Sequence, residues 1–376
     1  LTDPAFLEFV RSGGRSRAGL EVAAVYRCVS LISSAIGMLP TRIMERDSNG
    51  LFTIEARSHP LWPLLTVAPN FTQTAYTFKK LLTLWLLTKG NGYAQIVKTG
   101  ARISGLLPLD PDRTRPEQRT DGTMEYRFAT KNGGERTFQQ EDILHVFDTS
   151  TDGVCGVSLL LLAADAVQLS SDTRDSLARI YNTGISASGA LTTPKHLSKE
   201  AKASLRQQLE EKFAGARNAG RWLVLDEGMD AKAFQHSPRD AQMIETAKHS
   251  VEDIARFFGV PRPLMGIDDT SWGSGVEQLA TLFVRFGLAP HFVCWEQALT
   301  RALLTPAERQ RYAIDIDERE LLRGSMKDQG EFFARALGAG GSRAFMEPNE
   351  IRDLIGLARR EDGAGLQPAQ HQRGNF

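Results

Sequence analysis

Acidic side chains offer the first candidate chemistry in this 376-residue chain. Asp268 and Asp269 lie in a glycine-rich stretch, with Glu277 following closely. Carboxylates grouped this way could hold a divalent cation and support metal-dependent cleavage of DNA. Adjacent aspartates on an extended backbone point in different directions, and no third ligand stands at a defined spacing. A solvated acidic loop is the plainer reading, and a nuclease site built on Asp268, Asp269 and Glu277 is the alternative it leaves open. Asp315 and Asp317 share a strand face by the two-residue period. Paired glycosidase or nuclease carboxylates take that form, but so does a charged strand exit. His145 sits inside an apolar strand, which suits a packed, hydrogen-bonded histidine. His236 and His249 have no Ser, Cys or Asp at fixed spacing. Cys28, Cys155 and Cys294 are far apart and form no CxxC pair, so neither a disulfide framework nor a zinc site is expected. The sequence contains no Walker A loop, strand-linked GxGxxG, HExxH or GxSxG. Neither a catalytic residue, a metal nor a cofactor is expected.

Composition narrows the classes further. Lys plus Arg number 45 and Asp plus Glu number 45, so the formal net charge is zero. A protein gripping nucleic acid over its whole surface would be basic, which weighs against a monomeric DNA-binding module. The most apolar run, Leu81 to Leu87, is far too short to span a bilayer. No secretory signal is visible, and no membrane association is expected. The chain begins at Leu1 rather than Met, from which a processed or omitted N-terminus is expected.

The elements that would position these residues follow from periodicity and punctuation. Residues 1–19, with Gly13, Gly14, Arg15 and Arg17, read as a flexible arm. Ala23 to Leu39 has helical spacing and stops at Pro40. Residues 41–57 read as two strands around Asn49-Gly50. Ala75 to Lys89 reads as a helix closed by Gly90. Short strands follow at 93–98, 106–111 and 126–129, and within 138–147. From Ser158 a helix of roughly 37 Å is expected to about Asn182, with Leu159, Leu162, Ala166, Leu169, Leu177 and Ile180 on its apolar face. Residues 185–235 form a compact insert with strands near 190–193, 222–225 and 231–235 and a helix from Ser198 to about Phe213. Its bases Lys195, Lys199, Lys202, Arg206, Lys212, Arg217, Arg221 and Lys232 are interleaved with Glu200, Glu210, Glu211, Asp226, Glu227 and Asp230. This is a mixed surface unless symmetry multiplies it into a positive ring. A second long helix runs from Pro238 to Phe258, ended by Gly259 and Pro261. A third begins near Val276 and passes Glu296, with a bend or break expected at Pro290. Residues 312–317 read as a strand. Two more helices fall between Gly324 and Leu357, and the Gly- and Gln-rich tail 361–376 reads as disordered. The fold class is α+β.

Several short stretches, in order along residues 20–357, together resemble the portal proteins of tailed bacteriophages. They are His59-Pro60-Leu61-Trp62 with Pro69-Asn70; Gly90-Asn91-Gly92-Tyr93-Ala94; Asp142-Ile143-Leu144-His145; and Asp152-Gly153 with Gly156-Val157-Ser158. Next come Asn182-Thr183-Gly184; the glycines of 215–220 before Trp222 to Leu225; and Ile254 to Pro261. Glu277-Gln278, Leu322-Arg323 and Asn349-Glu350-Ile351-Arg352 complete the set. Gly275 and Ser325 depart from the residues the family usually has there.

The resemblance implies a non-enzymatic subunit of a ring of roughly twelve copies around a channel. The ring would sit at one capsid vertex of the virion, after assembly in the host cytoplasm. The implied partners are other copies of the chain, double-stranded DNA in transit, the terminase large subunit, a head–tail connector and the major capsid protein. The implied divisions are a wing (20–157 and 278–322), stem helices (158–184 and 236–261), a clip (185–235), a tunnel loop (262–277) and a crown (323–360). Within that scheme Ile267, Asp268, Asp269, Thr270, Ser271, Trp272, Gly273 and Ser274 would face DNA. Lys195, Lys199, Arg206, Lys212, Arg217 and Arg221 of the clip would meet DNA or terminase.

Overall fold

The computed structural model describes residues 22–130, 133–183, 189–192, 230–233, 238–266, 275–318, 321, 326–339, 343–355 and 357–361. They fall in two compact units. One comprises Leu1–Ser271 with Arg285–Ile316, and the other Trp272–Val284 with Asp317–Phe376. The architecture is α+β.

The first unit opens with helix α1, Ala23–Met38, whose Val25, Cys28, Val29, Ile32 and Ile36 are buried at helical spacing. Strands β1, Thr41–Arg46, and β2, Phe52–Glu55, follow around a turn in which Gly50 takes φ 82°. The short helix α2, Trp62–Thr66, leads to α3, Ala75–Lys89. Thr74 caps the start of α3 by accepting the Thr77 N–H, and Gly90 ends it in the left-handed region at φ 85°. Strands β3 (Asn91–Thr99) and β4 (Arg102–Leu109) come next. After them come β5 (Thr114–Gln118), β6 (Met124–Ala129), β7 (Glu135–Gln139) and β8 (Ile143–Phe147).

β3 lies between β4 and β8 in one antiparallel sheet, and β6 lies between β5 and β7 in another. The sequence reading did not separate β5 and β7, and each has a reason. β5 carries Pro116, which removes a ladder donor, and β7 is a polar edge strand. A 3-10 turn at Gln140–Asp142 divides β7 from β8.

A long helix after Ser158 is present, but Ala163 interrupts it. It forms α4, Leu159–Leu162, and α5, Ala164–Thr183. Strands β9 (Gly189–Thr192) and β10 (Asp230–Ala233) pair antiparallel, with Gly189 opposite Ala233. The chain then returns along α6, Pro238–Phe257, which packs on α5. Each of these 20-residue helices is about 30 Å long.

α7, Val276–Leu282, passes into a π-helical segment, Phe283–Leu288, and then α8, Ala289–Leu303. The irregularity expected at Pro290 is displaced to the residues just before it. Pro290 sits in the first turn of α8, where its missing N–H costs little, and the irregularity falls one turn earlier as the π segment. Past the one-turn helix at Glu308–Arg311, β11 (Tyr312–Ile316) joins β1 in the sheet β11-β1-β2.

The core of this unit lies where α1, α3 and α8 meet the sheets. Trp295 is fully buried there, and its indole N–H donates to Thr83 Oγ1 at 3.2 Å.

The second unit contains α9, Met326–Ala336, and α10, Pro348–Leu354. Phe332 and Phe345 meet edge to face at 6.3 Å. Asn349 accepts the Arg360 N–H at 2.9 Å and donates to the Arg360 carbonyl at 2.8 Å, pinning the chain beyond α10.

Candidate channel-forming site

At the end of α6 the sequence Gly259-Val260-Pro261 turns the chain sharply. Gly259 adopts φ 64°, and the Val260 N–H reaches back to the Ala255 carbonyl at 2.9 Å. This is a glycine stop of the kind that satisfies a helix's last carbonyls. Val260 is buried, and a 3-10 turn at Arg262–Met265 ends at Gly266, again left-handed at φ 76°. The turn is docked on α1. Arg27 Nε donates to the Leu264 carbonyl at 3.0 Å, and Cys28 Sγ lies 3.5 Å from Met265 Sδ. Arg262 meets Glu252 of α6 at 3.2 Å, Arg256 meets Glu252 at 3.7 Å, and His249 meets Asp253 at 3.0 Å. The charges on this half of the helix are therefore largely paired within the chain.

The start of α4 is anchored by backbone packed against backbone. A Cβ on Gly90 would fall 2.3 Å from the Gly156 carbonyl oxygen, and one on Gly156 would fall 2.1 Å from that of Gly90. Neither position has room for a side chain. Asn91 seals the contact: its Oδ1 accepts the Gly156 N–H at 2.8 Å, and its amide donates to the Gly156 carbonyl at 3.2 Å. Ser158 caps α4 by accepting the Leu161 N–H at 3.0 Å and donates to the Thr88 carbonyl at 2.6 Å. The Asp152 carboxylate accepts the Cys155 and Val154 N–H groups, both at 2.8 Å, and these hold it below the usual carboxylate range. Two motifs more than fifty residues apart in sequence thus form one clasp.

Three of the inward-facing titratable groups are spent on structure. His145 donates from Nε2 to Asn91 Oδ1 at 2.9 Å and accepts the Tyr126 hydroxyl at Nδ1, 3.3 Å away. That tautomer follows because Asn91 Oδ1 can only accept. Burial, reinforced by Arg301, pushes the imidazole down to about 3, so it stays neutral. Cys294, His291 and Asp148 stand together, which superficially suggests a nucleophile with its base. The Cys294 thiol instead donates to the Phe147 carbonyl at 2.8 Å, and burial pushes it up to about 12, the reverse of activation. Lys79 Nζ donates to the carbonyl of Leu39, at the end of α1, and to Thr41 Oγ1. Burial lowers it to about 8.

Asp315 is ion-paired with Arg42 across the β1–β11 ladder at 2.8 Å, and Asp317 lies past the end of the strand. Ile267, Asp268, Asp269, Thr270, Ser271, Trp272, Gly273 and Ser274 lie outside the described residues, as do Lys195, Lys199, Arg206, Lys212, Arg217, Arg221 and His236. Gly275 precedes α7 and is exposed, and Glu277 falls on α7. Sequence reasoning missed the pairing of Gly90 with Gly156. Its one visible signal was a helix-stop glycine followed by Asn-Gly, which fits many turns.

The comparisons with known proteins agree with this geometry. A family model described as "Phage portal protein" matches residues 23–356. The chain is 31% identical over 339 residues to the portal protein of Enterobacteria phage HK97, spanning 89% of this chain and 78% of that protein. It is 27% identical over 361 residues to a probable portal protein of Streptomyces phage phiC31, covering 92% and 77%. Among solved structures it is similar to a chain from the neck of an empty GTA particle computed with C6 symmetry, with TM-score 0.63, 25% identity and coverage of 96% and 95%. An HK97 family phage portal protein from Corynebacterium diphtheriae shares the fold at TM-score 0.54 and 17% identity, covering 82% of this chain and 96% of that one. On the family match and the HK97 likeness, the chain belongs to the phage portal protein family.

Proposed function

We propose that this chain is the subunit of a cyclic ring of about twelve copies at one vertex of a capsid. Double-stranded DNA enters and leaves through the ring's channel. The observation that carries the reading is the near whole-length likeness to a chain in the neck of a particle computed with rotational symmetry. In this reading the α+β body (20–157 and 278–322) is the wing, and α4 to α6 supply the stem. Residues 185–235 are the clip, and 262–277 the tunnel loop. Residues 323–360 are the crown. Terminase and, later, a head–tail connector dock on the clip, whose bases include Lys195 and Arg221. The major capsid protein surrounds the wing, and the finished ring resides in the virion.

The physical chemistry supports a passive conduit. A strong phosphate grip would brake moving DNA. The net charge is zero, and the described half of α6 pairs its charges internally. The turn at Arg262–Gly266, docked on α1, precedes the segment Ile267–Ser274 that in this reading faces DNA. Trp272 is that segment's one large side chain, and in this reading it contacts DNA or a neighbouring subunit.

The competing enzyme reading is separable. Wild type and the Asp268→Ala/Asp269→Ala double variant are incubated with duplex DNA and Mg²⁺. The portal reading expects no cleavage by either. Magnesium-dependent cleavage that the double variant loses would put a nuclease in its place.

A further inference from the structure

Part of the apolar face that the sequence assigns to the first long helix is exposed in the single chain: Leu162 and Leu169. α4 is four consecutive leucines, and none of them is buried. Leu161 and Leu162 are 70% and 50% exposed, and Leu169 on α5 is 46% exposed. Isolated exposed leucines are ordinary, but neighbouring exposed leucines at a helix start, with a third on the next helix, form a patch. Acidic residues share this face: Asp165 and Asp172 are exposed and stand four before and three after Leu169, on its own stripe, with Arg174 and Asp175 exposed nearby.

The same unit carries a second uncovered face of opposite charge. Phe286, Pro290 and Val293 recur at helical spacing along the π segment and α8. Phe286 is 69% and Val293 48% exposed, and Pro290 is exposed too. Its edges are basic, with Arg285 and Arg301 both exposed. Trp295 and Leu299 on the opposite side of α8 are fully buried, so the helix already spends one face on its own core.

A cyclic ring uses one head-to-tail contact repeated around the axis, so each copy must present two different faces that fit each other. The chain presents two such faces, one in which leucines alternate with carboxylates and one apolar face edged by guanidinium groups. We infer that the Leu161–Leu162–Leu169 face of one copy packs against the Phe286–Pro290–Val293 face of the next copy in the ring. Asp165 and Asp172 would then oppose Arg285, fixing register and direction around the ring. The inference rests on the ring reading and names the surface that closes it.

Disulfide trapping in the full chain tests it. The Leu169→Cys/Phe286→Cys double variant, oxidised and run without reductant, is expected to give a ladder of covalent multimers. Wild type, with its three native cysteines, and either single variant should not. In parallel, Leu169→Asp and Phe286→Asp should each shift the native mass from ring to single chain without loss of the circular-dichroism signal. Asp165→Arg/Asp172→Arg should do the same and should be rescued by mixing with Arg285→Asp chains at wild-type interfaces of opposite sense. Rings that survive all of these substitutions and never form the ladder would overturn the inference while leaving the ring reading standing. A wild-type chain that never forms rings would instead remove the reading on which it rests. Intact rings that fail only to join capsids would assign the leucine face to the capsid protein and overturn the contact between copies.

Discussion

Residues 156–158 and residues 159–162 are adjacent in sequence and opposite in physical character. The first three are locked: Gly156 sits backbone to backbone on Gly90, Asn91 bonds both sides of its peptide, and Ser158 ties Thr88 to the helix start. The next four are leucines, and none is buried. In the locked part both sides of Gly156, the Val157 N–H and the Ser158 hydroxyl have partners within the chain. In the open part Leu159 and Leu160 are half-buried, while Leu161 and Leu162 stay exposed. The locked residues hold the start of the long helix to the α+β body, while Leu161 and Leu162 face outward. This division suits an assembly subunit. The perturbed groups His145 and Lys79 are buried, Cys294 is half-buried, and all three make hydrogen bonds to structural partners.

Substitutions can sharpen or break that contrast. The largest effect is expected for Gly90→Ala. A Cβ there meets the Gly156 carbonyl at 2.3 Å and takes a left-handed φ of 85°. Overpacking and backbone strain together should cost roughly 4 kcal/mol, read as a lower urea midpoint. An unchanged midpoint would show that the clasp is loose.

Asn91→Ala comes next. It strands the His145 Nε2–H and the Gly156 N–H, at about 3 kcal/mol for the two buried donors. Equilibrium unfolding should show the loss, with the far-UV spectrum of the folded state retained.

Lys79 contributes a smaller effect with a definite sign. Its folded-state value lies near 8, below the ordinary lysine value of 10.5. Between those values the unfolded chain binds the proton more tightly, so this group's contribution to stability rises as pH rises from about 8 towards 10.5. The gain by pH 10 should be on the order of 2 kcal/mol. Lys79→Met should lose that rise. If variant and wild type keep the same pH slope, the lysine is not buried as described.

The smallest effect on the folded subunit belongs to the open region. Leu162→Ser should change the single chain's unfolding free energy by no more than about 0.5 kcal/mol. A large loss would mean that the leucine face is covered within its own chain.

Much of the fold was legible. α1 showed its period through Val25, Val29, Ile32 and Ile36 and its stop through Pro40. The β1–β2 turn showed Asn49-Gly50, α3 its closing Gly90, and α6 its Gly259 and Pro261. What escaped has physical causes. Periodicity does not register an interruption such as Ala163, because the apolar spacing runs through it. A proline at 290 reads as a break, yet in a first turn it is tolerated and the π segment takes up the irregularity. The Gly90–Gly156 clasp depends on backbone proximity across the fold, which local sequence does not encode. The leucine face was visible as apolar, but a helical stripe says only that something covers it, not whether the cover comes from the same chain.

The central claim is that the chain assembles into a ring with a central channel. Purified full-length chain, examined by native mass spectrometry and negative-stain microscopy, tests it directly. The account predicts closed rings with a central hole and a mass that is an integral multiple of one chain. A single-chain species that persists at high protein concentration would contradict it.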